Sequence, residues 1–185
     1  LSRDLTVSAT GRADWYETEA DTVSSFYRTE VSNRDETNDQ NLSGAVNVNY
    51  APFEYWQFYL AGGSAVRTPD IKELYSDRIP ASKAQTSAEF LGSPGLSGER
   101  NSQIDMGLEA QFQKWGFSVS GFYRYVEDYI TLTPTQLPKR LPLSPSTVFQ
   151  YANGNAEFVG TEGTLHYSLG PWHLHGGFAY VWAEE

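Results

Sequence analysis

Two-residue alternation of apolar and polar side chains is the feature that most constrains this chain. From Leu5, one parity carries Leu, Val, Ala and Gly, while the other carries Thr, Ser, Arg and Asp. Because successive side chains of a β-strand point to opposite sides of a sheet, this period predicts strands with one apolar and one polar face. We predict seven such strands and no helix. The alternating segments are 5–13, 42–50, 56–62, 104–112, 117–125, 165–167 and 172–182.

Short and long connections alternate between the predicted strands. In an antiparallel up-and-down meander, alternate connections lie at opposite ends of the sheet, so all the long loops are expected at one end. Long loops without secondary structure are uncommon unless they have a function. The pattern therefore predicts an all-β, antiparallel meander with functional loops at one end. The short connections are 52–54, 113–114 and 170–171, and the long ones are 16–41, 67–101 and 131–156.

The turn lengths predict the register of each hairpin. A two-residue turn at 170–171 places Tyr167 opposite Leu174 on one face, and His166 opposite His175 on the other. A one-residue slip would exchange the two faces, so this separation of apolar from polar pairs supports the register.

The other two hairpins separate their faces in the same way. The turn at 113–114 is again predicted to contain two residues. A three-residue turn at 52–54 would place Tyr50 opposite Trp56. All three hairpins thus predict one apolar and one polar face.

Aromatic residues gather at both ends of the apolar parity. They make up 15% of a chain whose mean hydropathy is only −0.48. The rise from Trp115 to Tyr125, at roughly 3.3 Å per residue and a tilt of about 40°, is roughly 25 Å, the height of an outer-membrane apolar band. We therefore predict a lipid-facing apolar side and a polar lumen. The two aromatic belts are Tyr50, Trp56, Phe112, Trp115, Tyr167 and Trp172, and Trp15, Tyr123, Tyr125, Tyr180 and Trp182.

Charge and residue content exclude several classes of function. The chain has 13 Lys and Arg against 23 Asp and Glu, a net charge of −10, which disfavours a nucleic-acid partner. It contains no cysteine, so thiol nucleophiles, disulfides and iron–sulfur clusters are excluded. The sequence also lacks the Gly-x-Ser-x-Gly and His-Glu-x-x-His motifs of hydrolases. We predict a protein that is not an enzyme and needs no cofactor.

Four segments carry a specific family pattern. Residues 63–75 end a strand and continue as Arg-x-Pro-x-x-x-Glu-Leu-Tyr, and residues 96–109 contain Leu-x-Gly-Glu before the next strand. Residues 121–130 end in Asp-Tyr-Ile, and residues 151–163 join Tyr-x-Asn to Gly-x-Glu. In order and spacing these segments resemble the barrel of TonB-dependent outer-membrane receptors of Gram-negative bacteria, with Gly98 replacing the usual proline.

The resemblance implies a fold, a location and a function. Residues 1–185 would be a segment of a 22-stranded transmembrane β-barrel, without the plug domain and the C-terminal strands. The implied function is energy-coupled uptake of a ferric siderophore or a similar metal complex across the cell outer membrane. The implied partners are the lipid bilayer, the ligand, the receptor's own plug domain, and the TonB complex through the missing N-terminal part.

Two other classes of protein remain open from the sequence. A passive porin or an adhesin-type outer-membrane barrel would show the same lipid-facing parity. A soluble β-sandwich binding module would also alternate, because each of its sheets has one buried and one solvated face.

Aromatic residues in the long loops are the candidate ligand contacts. Their rings could stack on a chelator, although aromatic residues in loops also serve as packing anchors. The candidates are Tyr75, Phe90, Phe149 and Tyr151.

Charged residues of the polar parity are the candidate contacts with a plug. Asp105 and Arg124 lie diagonally across a hairpin, which predicts a cross-strand ion pair. The full set is Asp105, Glu109, Arg124 and Glu162.

The three histidines share one polar face. His173 and His175 are two residues apart, and His166 lies opposite His175 in the predicted register. This arrangement makes a metal site of two or three imidazoles a weak hypothesis, with lumen-lining side chains as the alternative.

Overall fold

One eight-stranded sheet forms the computed structural model, which describes residues 4–78, 88–141 and 147–185. Seven long strands make the predicted antiparallel up-and-down meander, and a short eighth strand, β4, pairs in parallel with β7. The predicted fold class is therefore confirmed. The strands are β1 (Leu5–Glu19), β2 (Glu36–Phe53), β3 (Trp56–Arg67), β4 (Glu89–Leu91), β5 (Glu99–Gln111), β6 (Trp115–Thr135), β7 (Val148–Leu169) and β8 (Trp172–Glu184).

Two of the three predicted hairpin registers are confirmed. The β7–β8 hairpin places Tyr167 opposite Leu174 and His166 opposite His175. The β5–β6 hairpin also has its predicted register, with the Phe112 amide donating to the Trp115 carbonyl at 2.8 Å. The predicted turn lengths were correct in both hairpins.

The predicted register of the β2–β3 hairpin was wrong by two residues. Tyr50 lies opposite Phe58 rather than Trp56, and the ladder is irregular between Tyr50 and Phe53. Pro52 lies in this irregularity and has no N–H to donate to a ladder, so a bulge fits at this position. A shift of two residues leaves each side chain on its predicted face.

Two short helical turns contradict the prediction that the chain has no helix. Residues Tyr27–Val31 form a π-helical turn, and Ile71–Tyr75 form helix α1. The Asp70 carboxylate accepts from the amides of Lys72 and Glu73, and the Glu73 carboxylate accepts from the Asp70 amide. One turn of helix is too short to show a 3.6-residue period, so the sequence pattern did not reveal it. No helix in the described ranges has the length and apolar character needed to cross a membrane.

The long loops are shorter than predicted because the strands continue past the aromatic belts. Strands β6 and β7 contain 21 and 22 residues, whereas β3 and β5 contain 12 and 13. We name the three loops loop A (20–35), loop B (68–98) and loop C (136–147). Residues 79–87 of loop B and 142–146 of loop C lie outside the described part of the chain.

The apolar side of the sheet is exposed over its whole width. Leu42, Met106 and Leu174 are 71%, 59% and 62% exposed. At the short-turn end, the Phe112 ring stacks on Trp115 at 4.3 Å between centroids and on Tyr55 at 5.3 Å. Each sheet of a soluble β-sandwich buries its apolar face, whereas the described residues form one sheet whose apolar face is exposed, so the structure does not support that alternative.

Close contact between β2 and β3 at Gly63 provides a test of the sheet. A Cβ atom added at Gly63 would lie 2.8 Å from the Ala45 Cβ and 3.0 Å from the Gly44 carbonyl oxygen. We expect Gly63→Ala to lower the free energy of unfolding by about 1–3 kcal/mol, measured by urea unfolding in detergent micelles. Gly11→Ala is the control, because its added Cβ would have no neighbour within 4 Å. Equal stability of the two variants would contradict the close contact.

Candidate functional site

A concavity of about 1070 Å³ lies on the polar side of the sheet. It is lined by β1, β2, β3 and β5 and roofed by residues 68–71, at the start of loop B. Small side chains on β2 and β3, including Ala45 and Ala61, leave the space open. Neutral hydrogen-bonding groups stand among the small apolar residues of its wall, including Thr10, Ser43, Asn47, Asn101 and Gln103.

Side chains within this wall mostly bond to neighbours on the same face. Arg12 Nε donates to Asp14 Oδ1 at 2.7 Å, and Gln103 Nε2 donates to Asp105 Oδ1 at 2.7 Å. The Arg124 guanidinium lies over the Phe158 ring, with its Cζ 4.3 Å from the ring centroid.

The predicted ion pair between Asp105 and Arg124 is not among the ion pairs of the described residues. Gln103 is the residue directly opposite Arg124. Its amide bonds to Asp105, while Arg124 turns toward Phe158 on the other neighbouring strand. The predicted Asp105–Arg124 ion pair does not form because Asp105 bonds to Gln103 and Arg124 packs on Phe158.

The other two predicted plug contacts also lie on the polar face. Glu162 Oε1 accepts from the Ser120 hydroxyl at 3.2 Å, and Glu109 lies opposite Ser118. The Glu162 side chain is therefore held by a neutral donor. A role for these carboxylates in contacting a plug stays a prediction.

Two of the three histidine rings have neighbours other than a second histidine. The His166 ring lies over Gly116, and its Nε2 is 3.1 Å from Gln111 Nε2, on the side away from β8. His173 Nδ1 lies 3.0 Å from the Ser168 hydroxyl. The described residues contain no group of three or more His, Cys, Asp or Glu side chains placed to hold a metal ion. A site of two imidazoles drawn from His166, His173 and His175 stays a prediction, since the shared face alone does not set where each ring points.

Arg67 joins three segments at the long-loop end of the sheet. Its guanidinium donates to both Glu73 carboxylate oxygens at 2.9 and 3.1 Å, and its Nε donates to Glu99 at 2.6 Å. The second oxygen of Glu99 accepts from the Ile130 amide at 2.7 Å. These residues tie helix α1 to strands β3, β5 and β6.

Asn153 makes a second connection at the same level. Its side-chain amide donates to the carbonyls of Asp128 at 2.6 Å and of Ser97 at 3.2 Å, and its Oδ1 accepts from the Ser97 amide at 2.9 Å. Asp128 has a φ of 57°, a left-handed conformation that is uncommon for a residue with a Cβ. Asn153 therefore links a strained position of β6 to loop B.

The sequence motifs contained these residues, but their role as connectors was missed. Arg67 and Glu73 belong to the first motif, Glu99 to the second, and Asn153 to the fourth. The Asp70-x-x-Glu73 spacing was a usable signal, since it matches a capping box that starts a helix. The long-range partners Glu99 and Ile130 had no local signal.

Loops A and B share a hydrophobic core with strand β6. Tyr27 of loop A is fully buried, and its hydroxyl donates to the Leu74 carbonyl of loop B at 2.6 Å. Tyr75, Leu96 and Ile130 complete this cluster. Loop A is therefore packed directly on loop B and on strand β6.

A buried carboxylate joins loops B and C. Glu89 pairs with the buried Arg78 and accepts from the amides of Arg140 and Leu141 at 2.7 and 2.6 Å. The Arg78 guanidinium also lies 4.2 Å from the ring centroid of Phe26, in loop A. All three loops thus meet around Arg78 and Glu89.

Two of the four predicted ligand-contact rings are buried in these loop contacts. Tyr75 and Phe90 are 8% and 6% exposed. Tyr75 packs in the cluster with Tyr27, and Phe90 stacks on Phe149 at 6.0 Å between ring centroids. The role that the structure shows for Tyr75 and Phe90 is packing. Phe149 and Tyr151 are half-buried, and their contact with a ligand stays a prediction.

Comparisons with known proteins give one consistent family. The family model described as "TonB dependent receptor-like, beta-barrel" matches residues 1–185. A sequence comparison with curated proteins gives no match.

Solved structures show the same fold over nearly the whole chain. The copper transporter OprC superposes with a TM-score of 0.76 at 22% identity, covering 99% of this chain and 26% of OprC. The FrpB iron transporter from Neisseria meningitidis gives 0.69 at 17% identity, over 97% and 24%. The siderophore receptor PirA from Pseudomonas aeruginosa gives 0.68 at 17%, over 81% and 30%. The chain thus spans about a quarter to a third of the length of these proteins.

The Glu73 contacts predict a measurable role in holding helix α1. Glu73→Ala removes the capping-box bond to Asp70 and both bonds to Arg67. We therefore expect the free energy of opening of helix α1, which limits amide exchange at residues 71–75, to fall by about 1–2 kcal/mol. Amide hydrogen exchange in the detergent-solubilised protein measures the change. Lys72→Ala, at an exposed position of the same helix, should leave protection unchanged. Equal exchange in the two variants would refute the connector role.

Burial of Tyr27 predicts a pH-dependent weakening of the loop cluster. Burial, followed by the nearby Tyr75 and Asp77, raises the pKa of Tyr27 above its ordinary value of 10.0. The folded state favours the neutral Tyr27 phenol. Its contribution to the stability of the loop cluster is therefore complete below pH 10 and is lost as the pH rises further. We expect subtilisin cleavage of loops A and B to accelerate above pH 10.

Tyr27→Phe removes the titrating group and tests this assignment. The variant should cleave faster at pH 8, because the Leu74 carbonyl loses a bond worth about 1 kcal/mol, and should show a flatter pH profile. Tyr55→Phe, at an exposed turn, is the matched control and should follow the wild type. Identical profiles for Tyr27→Phe and wild type would show that Tyr27 does not control the cluster.

Proposed function

The chain belongs to the β-barrel family of TonB-dependent receptors, and from this membership we propose that it forms barrel wall in a receptor that takes up a ferric siderophore or a similar metal complex. The family resides in the outer membrane of Gram-negative bacteria, where the exposed apolar face meets lipid. The long loops are then extracellular and the short turns periplasmic.

The observation that supports uptake is a concavity on the lumen side of the sheet that residues 68–71 of loop B also line. The concavity has a volume of about 1070 Å³, and residues 68–71 form part of its lining. Arg67, Glu73 and Glu99 connect those residues to the barrel wall. A rigidly connected loop over a polar lumen is suited to receive a ligand and pass it inward.

Phe149 and Tyr151 are the proposed ligand contacts in this segment. They are half-buried on β7, next to loop B, so part of each ring remains available for stacking. Phe90 stacks on Phe149 and supports its ring. Tyr75 packs in the same cluster as Tyr151. In this assignment Tyr75 and Phe90 position the two contact rings.

The lumen charges are the proposed contacts with the receptor's plug domain. Asp105, Glu109, Arg124 and Glu162 share the polar face, with single hydrogen bonds or a ring contact rather than buried ion pairs. Exposed polar contacts of this kind are each worth little, so they can exchange as a plug moves. Coupling to the TonB complex would pass through parts of the receptor outside this segment.

The proposal includes no chemical step, no cofactor and no nucleic-acid partner. The net charge of −10 would repel a polyanion. The structural neighbours are named as transporters and receptors rather than as enzymes. The proposed transport depends on ligand binding and on energy-coupled conformational change, without a covalent step on the ligand.

Uptake by a strain lacking the receptor gene tests the proposed function. We expect the deletion to abolish growth on at least one ferric siderophore, and the cloned receptor to restore it. Collapse of the proton gradient should stop uptake of the labelled complex. Uptake that persists without the gradient would indicate a passive porin, and normal growth on every iron source would favour an adhesin.

Loop-residue variants localise the binding step in the same assay. The double variant Phe149→Ala/Tyr151→Ala should raise the concentration for half-maximal uptake by about tenfold, since stacked rings contribute about 0.5–1.5 kcal/mol each. Tyr55→Ala, at a periplasmic turn, is the matched control. Unchanged uptake by the double variant would reject these contacts while leaving the receptor function standing.

A further inference from the structure

Arg100 is a cation on the lipid-facing side of the barrel wall. It shares the parity of Ile104 and Met106, which are 53% and 59% exposed, and β5 runs without a bulge between these positions. Its guanidinium donates to the Ser64 hydroxyl, which lies on the same face of β3. The side chain therefore points outward from the barrel rather than into the lumen.

The position of Arg100 along β5 places it at the outer edge of the apolar band. Phe112 belongs to the periplasmic aromatic belt and stacks on Trp115. At roughly 3.3 Å per residue and a tilt of about 40°, Arg100 lies roughly 30 Å above Phe112, whereas an outer-membrane apolar band is about 25 Å tall. Arg100 thus lies at the level of the outer-leaflet headgroups.

One serine hydroxyl contacts the guanidinium on this face, and a second serine contacts the first. Arg100 Nη1 donates to Ser64 Oγ at 3.3 Å, and Ser102 Oγ donates to Ser64 Oγ at 3.1 Å. The guanidinium makes no ion pair within residues 4–78, 88–141 and 147–185. Most of its five N–H donors remain available to an acceptor outside the chain.

The neighbouring charge on this face is Glu127. It lies directly opposite Arg100 in the β5–β6 register and is exposed. The Arg100 side chain is directed to β3, on the other side of β5, and forms no ion pair with it. Glu127 would weaken the attraction of this site for an anion without neutralising the guanidinium.

We propose that Arg100, with Ser64 and Ser102, binds the phosphate group of an outer-leaflet lipid. The guanidinium fork matches a phosphate in geometry and charge, and the Ser64 hydroxyl, which accepts from Ser102, has its own O–H to donate to a further phosphate oxygen. A cation at headgroup level on the lipid-facing surface meets lipid phosphates before any soluble anion. The site gives this part of the barrel wall a specific contact with its membrane. This proposed lipid site depends on the membrane location of the barrel and not on the identity of the transported ligand.

Binding of a phosphomonoester lipid by the complete receptor tests the proposal. The probe is dioleoyl phosphatidic acid in neutral detergent micelles, with retained lipid counted by native mass spectrometry. We expect Arg100→Gln to weaken binding about fivefold, because one basic residue near an anionic surface contributes about 1 kcal/mol. Arg100→Lys should restore most of the binding. Glu127→Gln should strengthen binding, which a purely structural role for Arg100 does not predict.

Three controls separate a phosphate site on the barrel wall from general effects of charge, acyl chains and free anion. Arg28→Gln removes one positive charge from loop A and should leave binding unchanged. Dioleoylglycerol, which has the same acyl chains without phosphate, should not be retained. Inorganic phosphate at the same concentration should not compete. Equal binding by wild type and Arg100→Gln, retention of dioleoylglycerol, or full competition by inorganic phosphate would each overturn the proposal.

Discussion

Backbone hydrogen bonding across a lipid-facing sheet is the constraint on which the rest of the structure depends. In lipid, an unpaired N–H or C=O costs several kcal/mol, so the strands must pair continuously across the apolar band. Continuous pairing in turn keeps each side chain on one face, lipid or lumen. The bulges at Tyr50–Phe53 and at Glu127–Tyr129 lie near the two ends of the sheet, where water can reach the backbone.

Beyond the apolar band, the chain is surrounded by water instead of lipid. Loops A, B and C face water, and they bury their apolar side chains against one another rather than against lipid. Tyr27, Leu74 and Tyr75 form the centre of this second core, and Arg67 connects it to the barrel wall. The motif residues therefore connect two apolar regions. One is the lipid-facing side of the sheet, and the other is the cluster that the loops bury among themselves. Because the loop core needs apolar rings of its own, residues chosen as ligand contacts, such as Phe90, are packing groups.

The sequence-based prediction succeeded where a local period carries the information. The long strands, their face assignment and two of three registers follow from alternation and turn length. The prediction of the third register was wrong near Pro52. A bulge adds one residue there, and the alternation within the flanking segments gives no sign of it. The site was less predictable: the faces of Asp105, Glu109 and Glu162 were correct, but the partner of Arg124 is Phe158, an aromatic ring on the neighbouring strand β7.

Alternation by itself determined the long strands and the face of each side chain, and the aromatic belts and four motifs predicted an outer-membrane barrel wall, because parity and spacing are local properties of a sequence. Only the tertiary structure decided which loop residues touch one another, where the rings of His166 and His173 lie, and that Arg100 bonds to Ser64 rather than to a carboxylate. Those outcomes depend on contacts such as Tyr27 with Leu74 and Arg67 with Glu99, between residues distant in the chain. A repeating local pattern specifies the face of a side chain, whereas its partner is selected by the packing of the whole fold.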